Sequence, residues 1–295
     1  MKRISSLLII AAGTLWGMMG IFVNEMGRLG FSSIQTACLR VTVAAVAMII
    51  TILITGRQRM KVHIKDLFLF IILGCVCIFG MSLLYFYTIV NTSLSTAAIL
   101  LYTSPIWVII ISAIFFREKI TWQKLTALVL AFSGCVMVSR FGGVQGIRPL
   151  FFITGLASGL AYGLYSIFGT MALRKYHPYT VTAYAFIFAA VSAWIISSPS
   201  EIIFNIAAYQ NKPYLFLMIT ATGIVTAFAP FMLYTLGLKN TPPGKAAIIA
   251  CIEPLVATVI GFFMYNQIPS VTGILLIVLA ILIVNNFGIK PKNRL

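Results

Sequence analysis

The feature that most constrains the fold of this chain is an internal repeat. Residues 84–106 match residues 233–255 at a constant offset of 149, and residues 13–22 match residues 159–168 at an offset of 146. Conserved between the copies of the longer match are Leu84, Tyr85, Asn91, Thr92, Ala97, Ala98, Ile99 and Pro105, which recur as Leu233, Tyr234, Asn240, Thr241, Ala246, Ala247, Ile248 and Pro254. A repeat in both halves of a chain predicts two copies of one structural unit. We place these units at residues 1–145 and 146–295.

The repeated units are too apolar for a soluble protein. The 295 residues are 61% hydrophobic and only 9% charged, whereas soluble domains carry roughly 25% charged residues. Apolar runs of about 20 residues, enough for a helix to cross a bilayer core of about 30 Å, recur along the chain. They are too long and too continuously apolar for barrel strands. We therefore predict an all-α integral membrane protein with ten transmembrane helices near residues 4–24, 33–55, 66–88, 94–116, 121–140, 149–171, 179–198, 214–236, 244–265 and 269–289.

The charge distribution predicts how these helices are oriented. A net charge of +16 could suggest nucleic-acid binding, but Lys and Arg lie in short clusters between apolar runs, where they orient a protein in a membrane. With the N-terminus inside, sixteen of the 21 basic residues fall in inner segments and only four in outer ones. We therefore expect both termini to be cytoplasmic and no nucleic-acid partner. Because each unit has an odd number of helices, the second five-helix repeat must be inverted relative to the first.

The sequence has no motif for a metal, a cofactor or ATP. All five cysteines fall inside apolar runs, without the spacing of a metal finger or a redox motif. His63 and His177 stand alone in charged loops, and the phosphate-binding pattern GxxxxGK[ST] does not occur. We expect no metal site and no cofactor.

Glu253 is the one acid well inside a predicted helix, about ten residues into the ninth run. An ionised carboxylate at that depth needs a partner, water or a proton. Small residues share its face, and Pro254 removes a backbone hydrogen bond one turn earlier. One interpretation is a structural hydrogen bond to a neighbouring helix. The other is a carboxylate that binds substrate or exchanges protons.

Arg40 is the matching base, about eight residues inside the second run. Small and polar residues again share its face, and its depth is close to that of Glu253. It either extends toward the membrane surface or faces a polar cavity, where it could pair with Glu253. The sequence leaves these alternatives open.

Glycines and aromatics mark the remaining candidate positions. Glycines at a spacing of four allow helices to pack closely, although such spacing also arises by chance in apolar helices. We predict helix packing at Gly13 and Gly17, and at Gly155, Gly159 and Gly163. Buried tyrosines need hydroxyl partners, which a polar cavity or a neighbouring helix could supply. The candidate substrate-binding residues are Trp16, Arg40, Tyr102, Ser104, Tyr162, Tyr165, Tyr184 and Glu253; Ser104 is the repeat partner of Glu253.

Together these features resemble the drug/metabolite transporter superfamily, specifically its ten-span EamA-like branch. The resemblance rests on Trp16-Gly17, Arg40, the 97–105 segment, residues 116–120 and the 246–254 segment, in that order. One departure is that members commonly carry a Glu at the end of the ninth helix, matching Glu118, whereas residues 265–269 here contain Gln267 instead. Gln267 can replace a hydrogen bond of that Glu but not its charge.

The resemblance implies a plasma-membrane carrier for small organic molecules. We expect a secondary transporter that exports metabolites such as amino acids or amphipathic amines by alternating access, with proton coupling at Glu253. Its partners would be a small-molecule substrate and the lipid bilayer, and its oligomeric state is left open. A passive channel or facilitator is the alternative, but one Arg and one Glu are a sparse pore lining. A membrane-embedded enzyme is disfavoured because neither a metal cluster nor a nucleophile with its base is present.

Overall fold

The computed structural model describes residues 2–139, 148–265, 268 and 270–286, and these residues are helical with no β-strand. The first half contains α1 (Lys2–Gly17), α2 (Met19–Arg28), α3 (Ser33–Thr55), α4 (Leu67–Ile71), the π-helix π1 (Ile72–Gly80), α5 (Met81–Asn91), α6 (Leu94–Leu101), α7 (Ser104–Phe116) and α8 (Trp122–Val138). The second half contains α9 (Pro149–Leu173), α10 (Pro178–Ile196), α11 (Pro199–Ala208), α12 (Lys212–Gly223), the π-helix π2 (Ile224–Phe228), α13 (Ala229–Leu238), α14 (Pro243–Ala250), α15 (Ile252–Tyr265) and α16 (Val271–Asn286). Short 3₁₀ turns at Arg57–Met60 and Ile64–Asp66 precede α4.

Eight helical runs of the described residues are long and apolar enough to cross a membrane. They correspond to the predicted helices one to four and six to nine, which makes the chain a multi-pass membrane protein. The predicted fifth and tenth helices appear only as the shorter apolar segments Trp122–Val138 and Val271–Asn285. A helix of 17 residues is about 25 Å long, less than the thickness of the bilayer core. The boundary between the proposed repeats, Gln267 and the basic C-terminal residues lie outside the described residues.

The helices begin where the sequence provides starting signals. Ser32 caps α3 in a capping box with Gln35, Ser93 caps α6, and Thr121 caps α8. Several helices of the second half instead start with proline, whose missing N–H costs nothing in the first turn. These prolines open α9, α10, α11 and α14.

The principal helix contacts come in pairs that the sequence repeat relates. Helix α1 packs on α13, and the equivalent helix α9 packs on α5. The second helix of each half, α3 and α10, pack on each other, as do the fifth helices α8 and α16. Close approach of α8 and α16 depends on glycine, since a Cβ on Gly134 would lie 2.8 Å from the carbonyl oxygen of Gly273. The two halves of the chain are thus interleaved.

The π-helices occupy equivalent places in the two halves. Residues 75–79 of π1 correspond to Ile224–Phe228 at the offset of 149. The equivalent glycines Gly74, inside π1, and Gly223, directly before π2, both pack on the opposite half. A Cβ on Gly74 would lie 2.7 Å from Phe188 Cβ of α10, and a Cβ on Gly223 would lie 3.2 Å from the carbonyl oxygen of Arg40 on α3. The wider π turns therefore sit beside the α3–α10 contact.

Contacts along α9 show which turns lie at each end of the molecule. Near its start, Thr154 bonds Thr88 at 3.0 Å, and near its end a Cβ on Gly169 would lie 3.3 Å from Leu238. These two points are about 22 Å apart along one helix. The turns after α5 and after α13 therefore lie at opposite ends of the molecule. We call the end that holds Ser5, which approaches Gly237, the N-terminal end, and the other the distal end.

Candidate functional site

The site is built on two interrupted helices. The predicted fourth helix is divided between Leu101 and Ser104, and the ninth is divided at Cys251. Proline explains both divisions, because Pro105 and Pro254 have no N–H to donate to the carbonyl one turn earlier. The sequence predicted continuous helices here, although it identified Pro254 as the residue that frees those carbonyls.

A small cavity lies where the interrupted helices meet α9, α1 and α13. Its volume is about 20 Å³, room for about one water molecule. An amino acid or amine does not fit without movement of the surrounding helices. The cavity is lined by Trp16, Tyr102, Ser104, Pro105, Val108, Tyr162, Gly163, Tyr165, Ser166, Tyr234, Ala247, Ala250, Cys251 and Glu253.

Glu253 is the single carboxylate of the lining. Its Oε2 accepts a hydrogen bond of 2.9 Å from the hydroxyl of Tyr162. Ser104, the repeat partner of Glu253, lines the cavity from the other interrupted helix, and Tyr102 stands beside it. The structure therefore brings together residues of the fourth, sixth and ninth predicted helices around one carboxylate.

Two more hydrogen bonds link α9 to α13, and three of the four residues involved line the cavity. The Tyr165 and Thr235 hydroxyls are 2.9 Å apart, and those of Ser166 and Tyr234 are 2.7 Å apart. All four residues are buried. These bonds satisfy polar groups that cannot reach water and fix α9 against α13.

Trp16 forms an aromatic wall of the cavity. Its ring lies 5.9 Å from that of Tyr162, 5.3 Å from Tyr234 and 5.0 Å from Phe231. Edge-on and tilted geometries of this kind are favourable for aromatic pairs. The wall gives the cavity an apolar face, the kind of surface that packs against the hydrocarbon part of a ligand.

The predicted glycine positions pack directly on the interrupted helices. A Cβ on Gly13 would lie 3.3 Å from the carbonyl oxygen of Ala250, and a Cβ on Gly17 would lie 2.7 Å from that of Glu253. On the equivalent helix, Gly159 packs against the carbonyl oxygens of Leu100 and Leu101. The other two predicted packing glycines are Gly155, which faces Leu100, and Gly163, which faces Val108 and Ser104. Glycine thus lets α1 and α9 approach the carbonyls near both helix breaks.

Arg40 and Tyr184 do not line the cavity. Arg40 is buried on α3, donates to Met19 Sδ at 2.8 Å and has an Nε without a hydrogen-bond partner. It makes no ion pair with Glu253. The Tyr184 hydroxyl donates to the carbonyl oxygen of Met60 at 2.7 Å, at the N-terminal end of the molecule. The expectation that Tyr184 shares the cavity is therefore wrong for this structure, because its hydroxyl is satisfied by a loop carbonyl.

The described residues contain no group of three or more His, Cys, Asp or Glu that could hold a metal ion. The acids other than Glu253 lie near helix ends. Glu118 bonds Lys124 and Ser112, Asp66 bonds Lys175 and Tyr176, and Glu25 bonds Tyr214. In the loop after α9, the hydrogen bond to Asp66 raises the pKa of Lys175.

Comparison with known proteins decides the family. The model of the EamA-like transporter family matches residues 3–140 and 150–285, nearly the whole chain. The chain belongs to the EamA-like transporter family. Its helical fold, its cavity between interrupted helices and the motifs that suggested the resemblance are thus features of a member of that family.

Relatives of this EamA-like protein carry transporter names. An "Uncharacterized transporter" of Archaeoglobus fulgidus is 27% identical over 92% of this chain and 95% of its own length. The "Uncharacterized transporter YyaM" of Bacillus subtilis is 23% identical over 89% of this chain and 87% of its own length. A "Probable terminal-alkyne amino-acid exporter" of Streptantibioticus cattleyicolor is 23% identical over 83% of this chain and 80% of its own length. A solved crystal structure has a TM-score of 0.79 at 18% identity, covering 96% of both chains, and shows the fold alone.

Sequence reasoning missed part of this EamA-like site. Ser166 and Thr235 were not candidates, because a serine and a threonine in apolar helices have no distinguishing pattern. Tyr234 had a signal, since it is the repeat partner of Tyr85 and lies in the longest matched segment. Pairing it with Ser166 requires the packing of α9 on α13, which no local pattern specifies.

Proposed function

We propose that this protein is a secondary transporter that exports small organic metabolites, amino acids or amphipathic amines, across the plasma membrane by alternating access. The observation that carries the proposal is the cavity between the two interrupted helices, with Glu253 and an aromatic wall inside it. Interrupted helices expose backbone polar groups at membrane depth, where substrate sites of carriers are found. The exporter name of the Streptantibioticus cattleyicolor relative supports the same class of substrate.

We propose the inverted arrangement as the basis of alternating access, with both termini cytoplasmic. Support comes from the paired helix contacts, the equivalent π-helices and the turns of the two halves at opposite ends of α9. Equivalent copies with opposed directions can pack in two related ways, each opening the cavity to one side. The excess of Lys and Arg in alternate loops supports the N-terminal end as the cytoplasmic end.

The two ends of the molecule are packed unequally, and this supports the state that opens toward the distal end. At the N-terminal end α7 packs on α14, and Ser166 bonds Tyr234. The equivalent elements at the distal end, α6 and α15, do not pack together, and a Cβ on Gly20, the equivalent of Ser166, would meet nothing within 4 Å. The cavity is therefore closed more tightly toward the N-terminal end. This is the asymmetry expected of a carrier that faces outward.

Glu253 is the proposed proton-exchanging group. A carboxylate in a cavity of this size has little water to stabilise its charge, so it binds either a proton or a cationic group of the substrate. Mutual exclusion of the two would couple export of substrate to entry of protons. Tyr162, which donates to Glu253, would stabilise the charged form while the cavity is empty.

The test is solute exchange in proteoliposomes under an imposed pH gradient, with a panel of amino acids and amphipathic amines. Glu253→Gln should abolish proton-driven flux and leave the protein inserted and folded. Glu201→Gln, at an acid of α11 that bonds Gln35 instead of lining the cavity, is the matched control. Unchanged pH dependence in Glu253→Gln would remove Glu253 from the mechanism. Counterflow separates a carrier from a facilitator of the channel type, because only a carrier accelerates exchange when solute is loaded on the opposite side.

A further inference from the structure

Arg40 is a buried cation without an anion. The residue is 4% exposed, its Nη1 donates only to the thioether sulfur of Met19, and its Nε has no partner. Thioether sulfur is a weak acceptor, and a guanidinium carries five N–H donors. Among the described residues the three ion pairs all lie elsewhere, at Arg28, Lys124 and Lys175.

An isolated charge in this environment is expensive. Removing one partner of a buried ion pair strongly destabilises a protein because it leaves the other charge uncompensated, so a buried arginine without an anionic partner needs a reason to be there. Its stem does not reach the surface, as an arginine near a helix end can do. The unpartnered Nε therefore indicates an anion that Arg40 binds in another step of the cycle.

The position of Arg40 relates it to the cavity. Met19 begins α2, two residues after Gly17, and Gly17 packs on the backbone of Glu253. Arg40 is thus connected to the backbone of Glu253 through Met19 and the junction of α1 and α2.

Met19 is the hydrogen-bond partner of the Arg40 guanidinium. A methionine side chain is unbranched and flexible, and it readily adopts new packing. Its repeat equivalent in the second half is Tyr165, which is fixed by a hydrogen bond to Thr235. Met19 instead contacts Arg40 through a thioether sulfur, which is a weak acceptor. It can move aside and let a ligand reach the guanidinium when the surrounding helices separate.

A carboxylate is the anion that fits a free guanidinium edge, since it can accept two parallel N–H bonds. We infer that Arg40 is a specificity residue that holds the carboxylate of a zwitterionic substrate, whose ammonium group lies against Glu253. This inference rests on the proposed transport function and narrows its substrate class to free amino acids. Trp16 and the tyrosines of the cavity would contact the amino-acid side chain.

The test compares each amino acid with its own amide, which keeps the ammonium group and replaces the carboxylate by a neutral group of the same shape. The twenty protein amino acids and their amides are offered in counterflow assays with purified protein in liposomes. Wild-type protein should exchange at least one free amino acid about 10-fold faster than its amide, because the amide lacks the charge that Arg40 binds. Equal exchange of acid and amide overturns the inference without any variant being needed.

Arg40→Gln then assigns the preference to this residue. Exchange of the free acid should fall at least 10-fold, while exchange of its amide should change less than about 2-fold. Arg28→Gln, at an exposed arginine of α2, is the matched control. An equal fall in the exchange of acid and amide would mean that Arg40 has a structural role, and it would overturn the inference. If Arg40→Gln does not fold, Arg40→Lys is used, which keeps the charge and should retain a weakened preference for the acid.

The outcomes separate this inference from the proposed function. Exchange of amides or amines but not of free amino acids overturns the role of Arg40 and leaves a proton-coupled amine exporter standing. Exchange of neither set overturns the inference, and the pH-gradient assay with the wider panel decides the proposed function independently.

Discussion

The hydroxyl of Tyr162 donates a 2.9 Å hydrogen bond to Glu253, joining the longest helix of the second half to the helix that follows the ninth-helix break. The bond crosses the cavity wall and is the one hydrogen bond that Glu253 makes among the described residues. It fixes the carboxylate toward α9. We therefore expect Tyr162 to set where a substrate cation would meet Glu253.

Tyr162→Phe should weaken substrate binding by about 10- to 100-fold, since hydrogen bonds to charged groups contribute about 1.5–3 kcal/mol. The variant keeps the ring that packs on Trp16, so the change isolates the hydroxyl. The apparent affinity measured by counterflow in liposomes checks this. Tyr184→Phe removes a hydroxyl that bonds the carbonyl oxygen of Met60 outside the cavity. Its apparent affinity should match wild type, and equal losses in both variants would contradict a specific role for Tyr162.

The contact of α1 with the Glu253 backbone predicts a steric effect. A Cβ on Gly17 would lie 2.7 Å both from the Glu253 carbonyl oxygen and from Val256 Cβ. Gly17→Ala should therefore destabilise the protein by about 1–3 kcal/mol, the usual cost of overpacking, and displace the carboxylate. Thermal melting in detergent and transport activity should both fall.

Gly20→Ala is the matched control for that substitution. Gly20 lies one turn further along and has nothing within 4 Å of an added Cβ. Alanine there should leave melting unchanged or raise it slightly, because alanine favours helix over glycine by about 1 kcal/mol. A Gly17→Ala protein that melts like the Gly20→Ala protein would show that α1 does not pack closely on Glu253.

Much of this arrangement could be predicted from the sequence, because each part has a periodic or compositional signal. Apolar runs marked eight of the helices, and the glycine spacing marked Gly13, Gly17 and Gly159 as packing positions. The helix breaks were missed although Pro105 and Pro254 were visible. A proline within an apolar run can kink a helix or interrupt it, and packing decides between the two. The fifth helix was predicted slightly too long, since it ends at Val138 and composition does not give the end of an apolar helix.

The site residues show the same limit. Tyr162 and Glu253 lie 91 positions apart, and only the packing of α9 brings them together. Tyr184 has the same composition signal as Tyr165, yet its hydroxyl bonds a loop that is 124 residues away. A sequence pattern indicates that a buried tyrosine needs a partner, but it does not say which side of the helix supplies one. The sequence therefore predicted which tyrosines lie in apolar helices, but it did not predict their hydrogen-bond partners.

A buried ion pair at the N-terminal end gives a stability prediction. Lys124 of α8 pairs with Glu118, which also accepts from Ser112, and both charges are largely shielded from solvent. Lys124→Met would leave Glu118 without its countercharge and should destabilise the protein by about 3–5 kcal/mol. Lys119→Met, at an exposed lysine of the same loop, should change stability by less than about 0.5 kcal/mol. Equal melting of the two variants in detergent would contradict this account.

The unequal packing of the two ends predicts which cysteine pairs can be joined. A Cβ on Gly244 of α14 would lie 3.2 Å from Ile109 Cγ1 of α7, which is within reach of a disulfide. The Ile109→Cys, Gly244→Cys pair should therefore form a disulfide readily in a variant without the native cysteines. The repeat equivalents of these positions are Thr258 and Ser95, at the distal end. The Ser95→Cys, Thr258→Cys pair should form no disulfide in the conformation described, because α6 and α15 do not pack together.

Transport measurements then decide whether the two ends alternate. Locking the Ile109→Cys, Gly244→Cys pair should stop exchange, and a reducing agent should restore it, since the N-terminal end must open for substrate to enter from that side. During turnover with substrate, the Ser95→Cys, Thr258→Cys pair should become oxidisable, because the second packing brings the distal elements together as α7 and α14 are together now. Full exchange activity in the protein locked by the Ile109→Cys, Gly244→Cys disulfide would show that solute passes without the N-terminal end opening. A distal pair that never reacts during turnover would show that the two ends do not exchange their contacts, and the repeat would then be a relic of ancestry with no part in the cycle.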